Sequence, residues 1–115
     1  MKDGGKNTVL QACVAKAVDL AGLVEYASDS IVSKTIIDKP VGTITLFAFD
    51  TGQGLSEHQA PYDAFVQIVD GTGIIIIDGK EIEARPGSII IMPANIPHAV
   101  RAKEKFKMLL TMIRA

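Results

Sequence analysis

The residues best suited to chemistry in this chain are its only two histidines, His58 in the stretch HQAPYD and His98 in the stretch PHAV. Each stands close to prolines, where a predicted strand begins or ends. A neutral imidazole nitrogen binds divalent metal ions, and the same ring can carry a proton near neutral pH. The pair therefore indicates either a metal site or two contacts in a binding pocket. Ordinary solvated or hydrogen-bonded histidines are the alternative.

No other catalytic arrangement can be identified. The sequence offers no defensible Ser–His–Asp order, and its glycines separate strands rather than opening a helix that could hold phosphate. The lone cysteine, Cys13, can form no intramolecular disulfide and is interpreted as a small apolar residue. Catalytic residues stay unassigned, and it is left open whether the protein is an enzyme.

The composition indicates one globular domain without an electrostatic preference for nucleic acid. Of 115 residues, 48% are hydrophobic and 22% are charged, and the formal net charge is -1. No long basic run offers a surface for nucleic acid or an anionic membrane, and no apolar run is long enough for a membrane span. We therefore expect a cytoplasmic protein that binds neither nucleic acid nor membranes.

From residue 31 onward the sequence predicts strand after strand. Alternating β-branched residues and turn signals predict strands over 31–38, 43–50, 63–70, 74–78, 80–85, 88–93, from 98 onward, and 105–114. The stretch 51–62 (TGQGLSEHQAPY) is predicted to be a loop, and the isoleucine-rich strands 74–78 and 88–93 are predicted to be buried. In the last strand Phe106, Met108, Leu110 and Met112 share one face. Eight or nine strands without a long helix indicate an all-β sandwich or small barrel.

Two local features complete the predicted elements. Asp78-Gly79 is a strong hairpin signal, because a type I′ turn needs a positive φ at both central residues. Residues 1–29 are predicted to form an N-terminal arm before a barrel over 30–115. Within that arm, 18–26 (VDLAGLVEY) is predicted to hold a short helical turn with Asp19 available as its cap and with Leu20, Leu23 and Val24 pointing inward.

Two stretches identify the chain as similar to the cupin family. In GQGLSEHQAPYDAFVQIVDG, Gly52 precedes His58 by six positions, and in GSIIIMPANIPHAV, Gly87 precedes Pro93 by six and His98 follows it by five. The first cupin motif runs Gly-x5-His-x-His-x3,4-Glu-x6-Gly, and the second runs Gly-x5-Pro-x-Gly-x2-His-x3-Asn. The resemblance covers about residues 30–114. It implies a double-stranded β-helix, a jelly roll of two packed antiparallel sheets around an interior pocket.

The departures from these motifs bear on the metal ligands. The second histidine and the glutamate of the first motif fall on Ala60 and Ala64, and the closing asparagine of the second motif falls on Ala102. Asn95 stands where the second motif has glycine, which is tolerable because asparagine adopts the left-handed conformation. The family's usual set of three histidines and one glutamate is thus reduced to two histidines.

The resemblance implies that His58 and His98 are metal ligands that approach one another at the barrel mouth. Asp63, displaced by one residue from the glutamate position, and Gln67 are the candidates for a third ligand, although each also has a structural interpretation. The metal could be iron, manganese, nickel, copper or zinc, or none, since two imidazoles do not select among them. The predicted pocket lining is Tyr62, Ala60, Ala64, Val66 and Ile68.

Three classes of function follow. The first is a small cupin that binds a divalent metal and a small organic molecule, with oxygenase- or isomerase-type chemistry. The second is a metal-free module that binds or senses a small metabolite, which the missing ligands favour. The third is a dimeric structural or interaction protein. The resemblance implies a homodimer in all three cases, so dimerisation discriminates none of them.

Overall fold

A computed structural model of the protein describes residues 7–114, which fold into ten β-strands and two 3₁₀ turns. The strands are β1 (Thr8–Val9), β2 (Ile31–Lys39), β3 (Gly42–Phe49), β4 (Gly54–His58), β5 (Ala64–Gly71), β6 (Gly73–Ile77), β7 (Lys80–Ala84), β8 (Ile89–Met92), β9 (His98–Arg101) and β10 (Phe106–Ile113). The 3₁₀ turns span Gln11–Cys13 and Ala21–Leu23. No helix among the described residues is long and apolar enough to cross a membrane.

The strands form two antiparallel sheets that pack face to face. The six-stranded sheet has the order β1-β2-β3-β10-β5-β8, and the four-stranded sheet has the order β4-β9-β6-β7. Strands distant in the sequence are neighbours in space. For example, β10 lies between β3 and β5 and pairs with both. This connectivity of two packed sheets confirms the predicted jelly-roll barrel.

The core lies between the sheets and follows the period-two pattern of the strands. Phe106 and Met108 of β10 are fully buried, and Leu110 packs against the same cluster. The ring of Phe106 stacks on that of Phe49, with the centroids 4.7 Å apart. The predicted inward face of this strand is therefore confirmed, with a bulge after Lys107 that shifts the register against β5.

Two turn predictions are also confirmed. Asp78 and Gly79 have φ angles of 51° and 80°, so both central residues of the β6–β7 hairpin are left-handed. Asn95 has a φ of 64° in the segment before His98, where the family motif has glycine.

The strand that carries His58 was missing from the sequence prediction. Stretch 51–62 was predicted to be a loop, yet Gly54–His58 pairs with β9 as an edge strand of the four-stranded sheet. Four of its five residues are exposed, so the stretch has no apolar alternation by which a strand could be recognised.

Two isoleucine-rich strands are less buried than predicted. In β8, Ile89 and Ile91 are 59% and 61% exposed, because β8 is an edge strand and only its alternate residues reach the core. In β6, Ile74 and Ile75 are buried, whereas Ile76 and Ile77 are half-buried.

The N-terminal arm lies on the outer face of the six-stranded sheet. Val24 is buried against Leu46 and Ala48 of β3, and Leu20 and Leu23 pack beside it, as the sequence predicted. Asp19 does not cap the 3₁₀ turn with its side chain, since the N-cap residue is Leu20 and no side-chain cap bond is made. β1 joins the sheet through β2, and residues 1–6 of the predicted arm lie outside the described residues.

Candidate functional site

The two histidines are direct cross-strand partners. His58 is the last residue of β4, His98 is the first residue of β9, and the register pairs them. Their Nε2 atoms are 3.2 Å apart, and the rings meet edge to face with centroids 4.4 Å apart. On the other side of His98 lies Ile77, which packs against the core between the sheets. The pair therefore lies on the inner face of the four-stranded sheet.

A bulge in β4 makes this pairing possible. The register shifts between Leu55 and His58, so β4 uses one residue more than β9 over the same span. A bulge re-aims the side chains that follow it. It leaves His98 buried and His58 open to solvent, which places the pair at the mouth of the barrel rather than in its centre.

The backbone fixes the orientation of both rings. Nδ1 of His58 lies 2.9 Å from the carbonyl oxygen of Ser56, and Nδ1 of His98 lies 3.2 Å from that of Ile96. Each carbonyl belongs to the residue two positions earlier. A carbonyl only accepts hydrogen bonds, so each Nδ1 must carry the ring hydrogen. Both Nε2 atoms consequently present a lone pair.

The contacts of the two rings need one hydrogen more than two neutral imidazoles carry. Three close contacts, two Nδ1–carbonyl and one Nε2–Nε2, need one hydrogen each, whereas two neutral imidazoles supply two. A third hydrogen or a metal ion beside both Nε2 atoms would remove the deficit. Burial, and then the proximity of His58, lower the pKa of His98 below its ordinary value. The extra proton is thus disfavoured on His98.

The distance between the two nitrogens fits such an ion. Imidazole nitrogens bonded to zinc at about 2.0–2.1 Å would lie roughly 2.8–3.4 Å apart for bond angles between about 90° and about 109°. The observed 3.2 Å falls within that range. The donor chemistry also fits, because hydrogen bonds from Nδ1 to backbone carbonyls are the usual support of a metal-binding histidine.

The other two predicted ligands lie elsewhere. Oδ1 of Asp63 accepts a hydrogen bond from the backbone N–H of Ala94 at 2.9 Å, which ties the segment before β5 to the segment after β8. Gln67 pairs with Leu109 and Ile89 on the outer face of the six-stranded sheet, because its neighbours in β5 point into the core. Among residues 7–114, no group of three His, Cys, Asp or Glu side chains could hold a metal.

The residues predicted to line the pocket fall into two groups. Ala64, Val66 and Ile68 face inward and belong to the packed core. Ala60 and Tyr62 are half-buried in the loop between β4 and β5, where the carbonyl of Ala60 accepts a hydrogen bond from the backbone of Asn95. That bond joins the two loops that follow His58 and precede His98. The role of Tyr62 in a pocket stays a prediction.

Sequence reasoning missed the groups that orient the imidazoles. The carbonyls of Ser56 and Ile96 act through the backbone, and every residue type supplies a carbonyl. No sequence signal marks them.

Comparison with known proteins agrees with this architecture. The cupin domain family matches residues 45–114. The chain is 39% identical to a conserved protein of unknown function from Streptococcus pyogenes, over 88% of this chain and 89% of that one, with a TM-score of 0.84. It is 43% identical to a cupin 2 conserved barrel domain protein from Leptotrichia buccalis, over 84% of this chain and 47% of that one, with a TM-score of 0.81.

A cupin superfamily protein from Desulfitobacterium hafniense is 26% identical over 98% of this chain and 100% of its own, with a TM-score of 0.83. No curated protein matches the chain. Because the family match spans more than half of the sequence and the barrel has the corresponding topology, the chain belongs to the cupin family.

Proposed function

We propose that this protein binds a divalent metal ion through Nε2 of His58 and His98 and binds a small organic molecule beside that ion at the barrel mouth. The observation that carries the proposal is the 3.2 Å distance between the two Nε2 atoms, in rings that are each oriented by a hydrogen bond between Nδ1 and a backbone carbonyl. A bound divalent ion would act as a Lewis acid toward an oxygen of the organic molecule.

The charge of the site favours a particular class of organic ligand. Two neutral imidazoles leave the full charge of a divalent ion uncompensated, and among the described residues no carboxylate joins them. A small anion with two oxygen donors would supply both the missing charge and the missing ligands. We therefore propose a chelating oxyanion, such as a small dicarboxylate, rather than a neutral molecule.

In this proposal the residues around the pair orient the two rings, exclude water and join the neighbouring loops. Ser56 and Ile96 hold the rings so that Nε2 stays free of hydrogen. Ile77 and the core beneath it keep water from the buried side of His98. Asp63 and Ala60 tie together the loops on either side. No general base is assigned, so oxygenase- or isomerase-type chemistry remains a prediction from the sequence. The cytoplasmic location is likewise a prediction from the sequence.

A metal-free binding module is the second candidate function. Its support is the short donor set, since the described residues offer two imidazoles and no third His, Cys, Asp or Glu ligand. In this case the two rings would contact the organic molecule directly.

Metal content tests the two candidates. Protein purified without an affinity tag or chelator is analysed by plasma mass spectrometry, before and after incubation with iron, manganese, nickel, copper and zinc. We expect nearly one ion per chain in the wild type, loss of that ion in the double variant His58→Ala/His98→Ala, and retention in the control Gln59→Ala, whose side chain is exposed beside the site. Wild-type protein that takes up no ion, or a double variant that retains it, would contradict the proposal.

Calorimetry then tests the ligand class. We expect metal-loaded protein to bind malonate more tightly than propionate, because only malonate can chelate the ion. Malonate binding that is equal with and without metal would instead support the metal-free module.

A further inference from the structure

We propose that Lys80 binds the far carboxylate of the organic ligand, which is then an acid with a metal-chelating head at one end and a further carboxylate at the other. This inference rests on the function proposed above, because the chelating head would lie on the metal ion at His58 and His98. It adds a residue that selects the ligand, and it narrows the ligand from any small oxyanion to an acid with two separated anionic groups.

The register of the four-stranded sheet places Lys80 in the same row as the histidine pair. His58 of β4 pairs with His98 of β9. His98 also pairs with Ile77 of β6, and Ile77 pairs with Lys80 of β7. Directly paired residues of neighbouring strands project from the same face of a sheet. Each of the four strands therefore contributes one residue to a single row, which we call the mouth row.

The rest of β7 agrees with an inward-facing Lys80. Ala84 is buried in the core between the sheets, and Lys80, four positions earlier, shares its face because side chains alternate along a strand. Glu81 belongs to the opposite face, where its carboxylate accepts hydrogen bonds from Arg101 at 2.9 and 3.0 Å. Among residues 7–114 the ammonium group of Lys80 forms no ion pair, so its charge is left for a ligand.

The hairpin that carries Lys80 is tied to the segment before His98. The backbone N–H of Asp78, in the β6–β7 turn, donates to the carbonyl of Pro97 at 2.8 Å, and Pro97 directly precedes His98. The turn is left-handed at Asp78 and Gly79, which is the geometry of a tight two-residue hairpin. The backbone of Lys80 is therefore fixed relative to the imidazoles, while its side chain is exposed and can turn toward a ligand.

The order of side chains in the mouth row indicates the chemistry of the ligand. His98 and Lys80 are two strands apart, which separates their backbones by roughly 10 Å. The four-carbon stem of lysine spans roughly 6 Å, so the ammonium group reaches a carboxylate that lies a few bonds from the ion. Ile77 stands between them and is half-buried. A chelating head, a linker of about two CH₂ groups and a terminal carboxylate match this sequence of imidazoles, isoleucine and cation.

Calorimetry of metal-loaded protein with a matched pair of acids tests the proposal. Propane-1,1,3-tricarboxylate carries a malonate head and a third carboxylate, and propylmalonate has a methyl group in place of that carboxylate. We expect the wild type to prefer the tricarboxylate. The ratio of the two affinities should fall about threefold in Lys80→Met, which loses an exposed ion pair, and should return in Lys80→Arg, which keeps the charge.

The matched control is Lys34→Met. Lys34 is exposed on the outer face of the six-stranded sheet, where its partner Leu46 lies under the N-terminal arm. This variant loses the same charge far from the mouth row and should keep the wild-type ratio. An equal fall in Lys34→Met would mean that net charge, and not the position of Lys80, sets the ratio, and would overturn the proposal.

The remaining outcomes separate this inference from the function on which it rests. If both acids bind only metal-loaded protein but Lys80→Met keeps the wild-type ratio, the metal site stands and the role of Lys80 is wrong. If neither acid binds metal-loaded protein, both proposals fail together. Circular dichroism shows whether the variants keep the fold, as expected for exposed side chains. Lys80→Gln replaces a Lys80→Met protein that does not fold, with the same expected fall in the ratio.

Discussion

At the scale of single residues, the histidine pair is held by its backbone. Each imidazole donates from Nδ1 to the carbonyl two residues earlier, at 2.9 Å for His58 and 3.2 Å for His98. The repeated pattern leaves the Nε2 atoms of the two rings 3.2 Å apart. A glutamine side chain cannot reproduce this arrangement of an Nδ1 donor and a second ring nitrogen. Replacement of His98 by glutamine is therefore an informative test.

We predict that metal-free protein loses stability as the pH falls below about 6.5, the ordinary pKa of an unfolded histidine. Burial and the proximity of His58 lower the pKa of His98 in the folded state, so the unfolded chain binds the proton first. This pKa difference contributes to the free energy of unfolding. The contribution is fully present above the pKa of His98 in the unfolded chain, and it declines as the pH falls from there through the pKa in the folded state. Urea denaturation at a series of pH values, with chelator present, measures it. The variant His98→Gln should show a smaller decline, and equal declines would contradict the assignment.

A second residue-scale prediction concerns Asp63. Its carboxylate accepts a hydrogen bond from the backbone of Ala94 at 2.9 Å, so Asp63→Ala should lower the free energy of unfolding by about 1 kcal/mol. Asp63→Asn keeps an acceptor oxygen and should cost less. The metal content of both variants should equal that of the wild type, because the side chain serves the loop rather than the ion. Loss of metal in Asp63→Asn would show that this residue is a ligand after all.

At the scale of the elements, the N-terminal arm depends on a buried cation. Lys107 is 8% exposed, its Nζ donates to the carbonyl of Ala21, and it lies 4.9 Å from the ring centroid of Tyr26. Tyr26 in turn donates to Asp70 at 2.5 Å. Burial and the bond to that carboxylate raise the pKa of Tyr26 above its ordinary value, so the phenol keeps its hydrogen and the bond persists at alkaline pH.

We predict that Lys107→Met loosens the arm without unfolding the barrel. Methionine keeps most of the apolar stem, but the carbonyl of Ala21 loses its donor. Hydrogen–deuterium exchange should become faster in residues 20–26 and stay unchanged in β5 and β10. The control is Lys105→Met, because Lys105 is exposed and its Nζ lies farther from the Tyr26 ring, at 5.6 Å. Equal exchange in the two variants would mean that the cation is dispensable.

Elements with a strong local pattern could be predicted, and those without one could not. The alternation in β10 and the Asp78-Gly79 turn were recognised because side-chain period and backbone φ leave direct marks in the sequence. β4 was missed because an exposed edge strand needs no apolar face. β8 was predicted to be buried, because a run of isoleucines does not reveal whether the outer face of the strand is covered.

The candidate site was predictable only in part, for a related reason. Motif spacing assigned His58 and His98 to the same place in the barrel, and the register brings their rings together. The face of Gln67 followed from alternation. The hydrogen bond between Asp63 and Ala94 could not be predicted, since it joins loops far apart in the sequence.

At the scale of the whole molecule, the histidine pair and the most exposed isoleucines of β8 lie on different sheets and on opposite sides of the core. The histidine pair lies on the inner face of the four-stranded sheet, and Ile89 and Ile91 are exposed on the outer face of the six-stranded sheet. The stacked rings of Phe49 and Phe106 and the rest of the close-packed core separate them. A packed core without a second arrangement transmits little binding energy between distant sites.

The cupin resemblance implies a homodimer, and we predict that metal binding is independent of dimerisation. Ile91→Lys, which adds a charge to an exposed position of β8, should bind the same amount of metal per chain as the wild type even if it dissociates. His58→Ala/His98→Ala should sediment as a dimer while it binds no metal. Metal analysis and sedimentation of the same preparations measure both quantities. The control is Ile82→Lys, which adds the same charge to a partly exposed residue of β7 at the edge of the four-stranded sheet. If the dissociated variant also lost its metal with the fold intact, the two faces of the barrel would have to be coupled. The second copy would then contribute to the site, and the metal affinity of the wild type should fall on dilution.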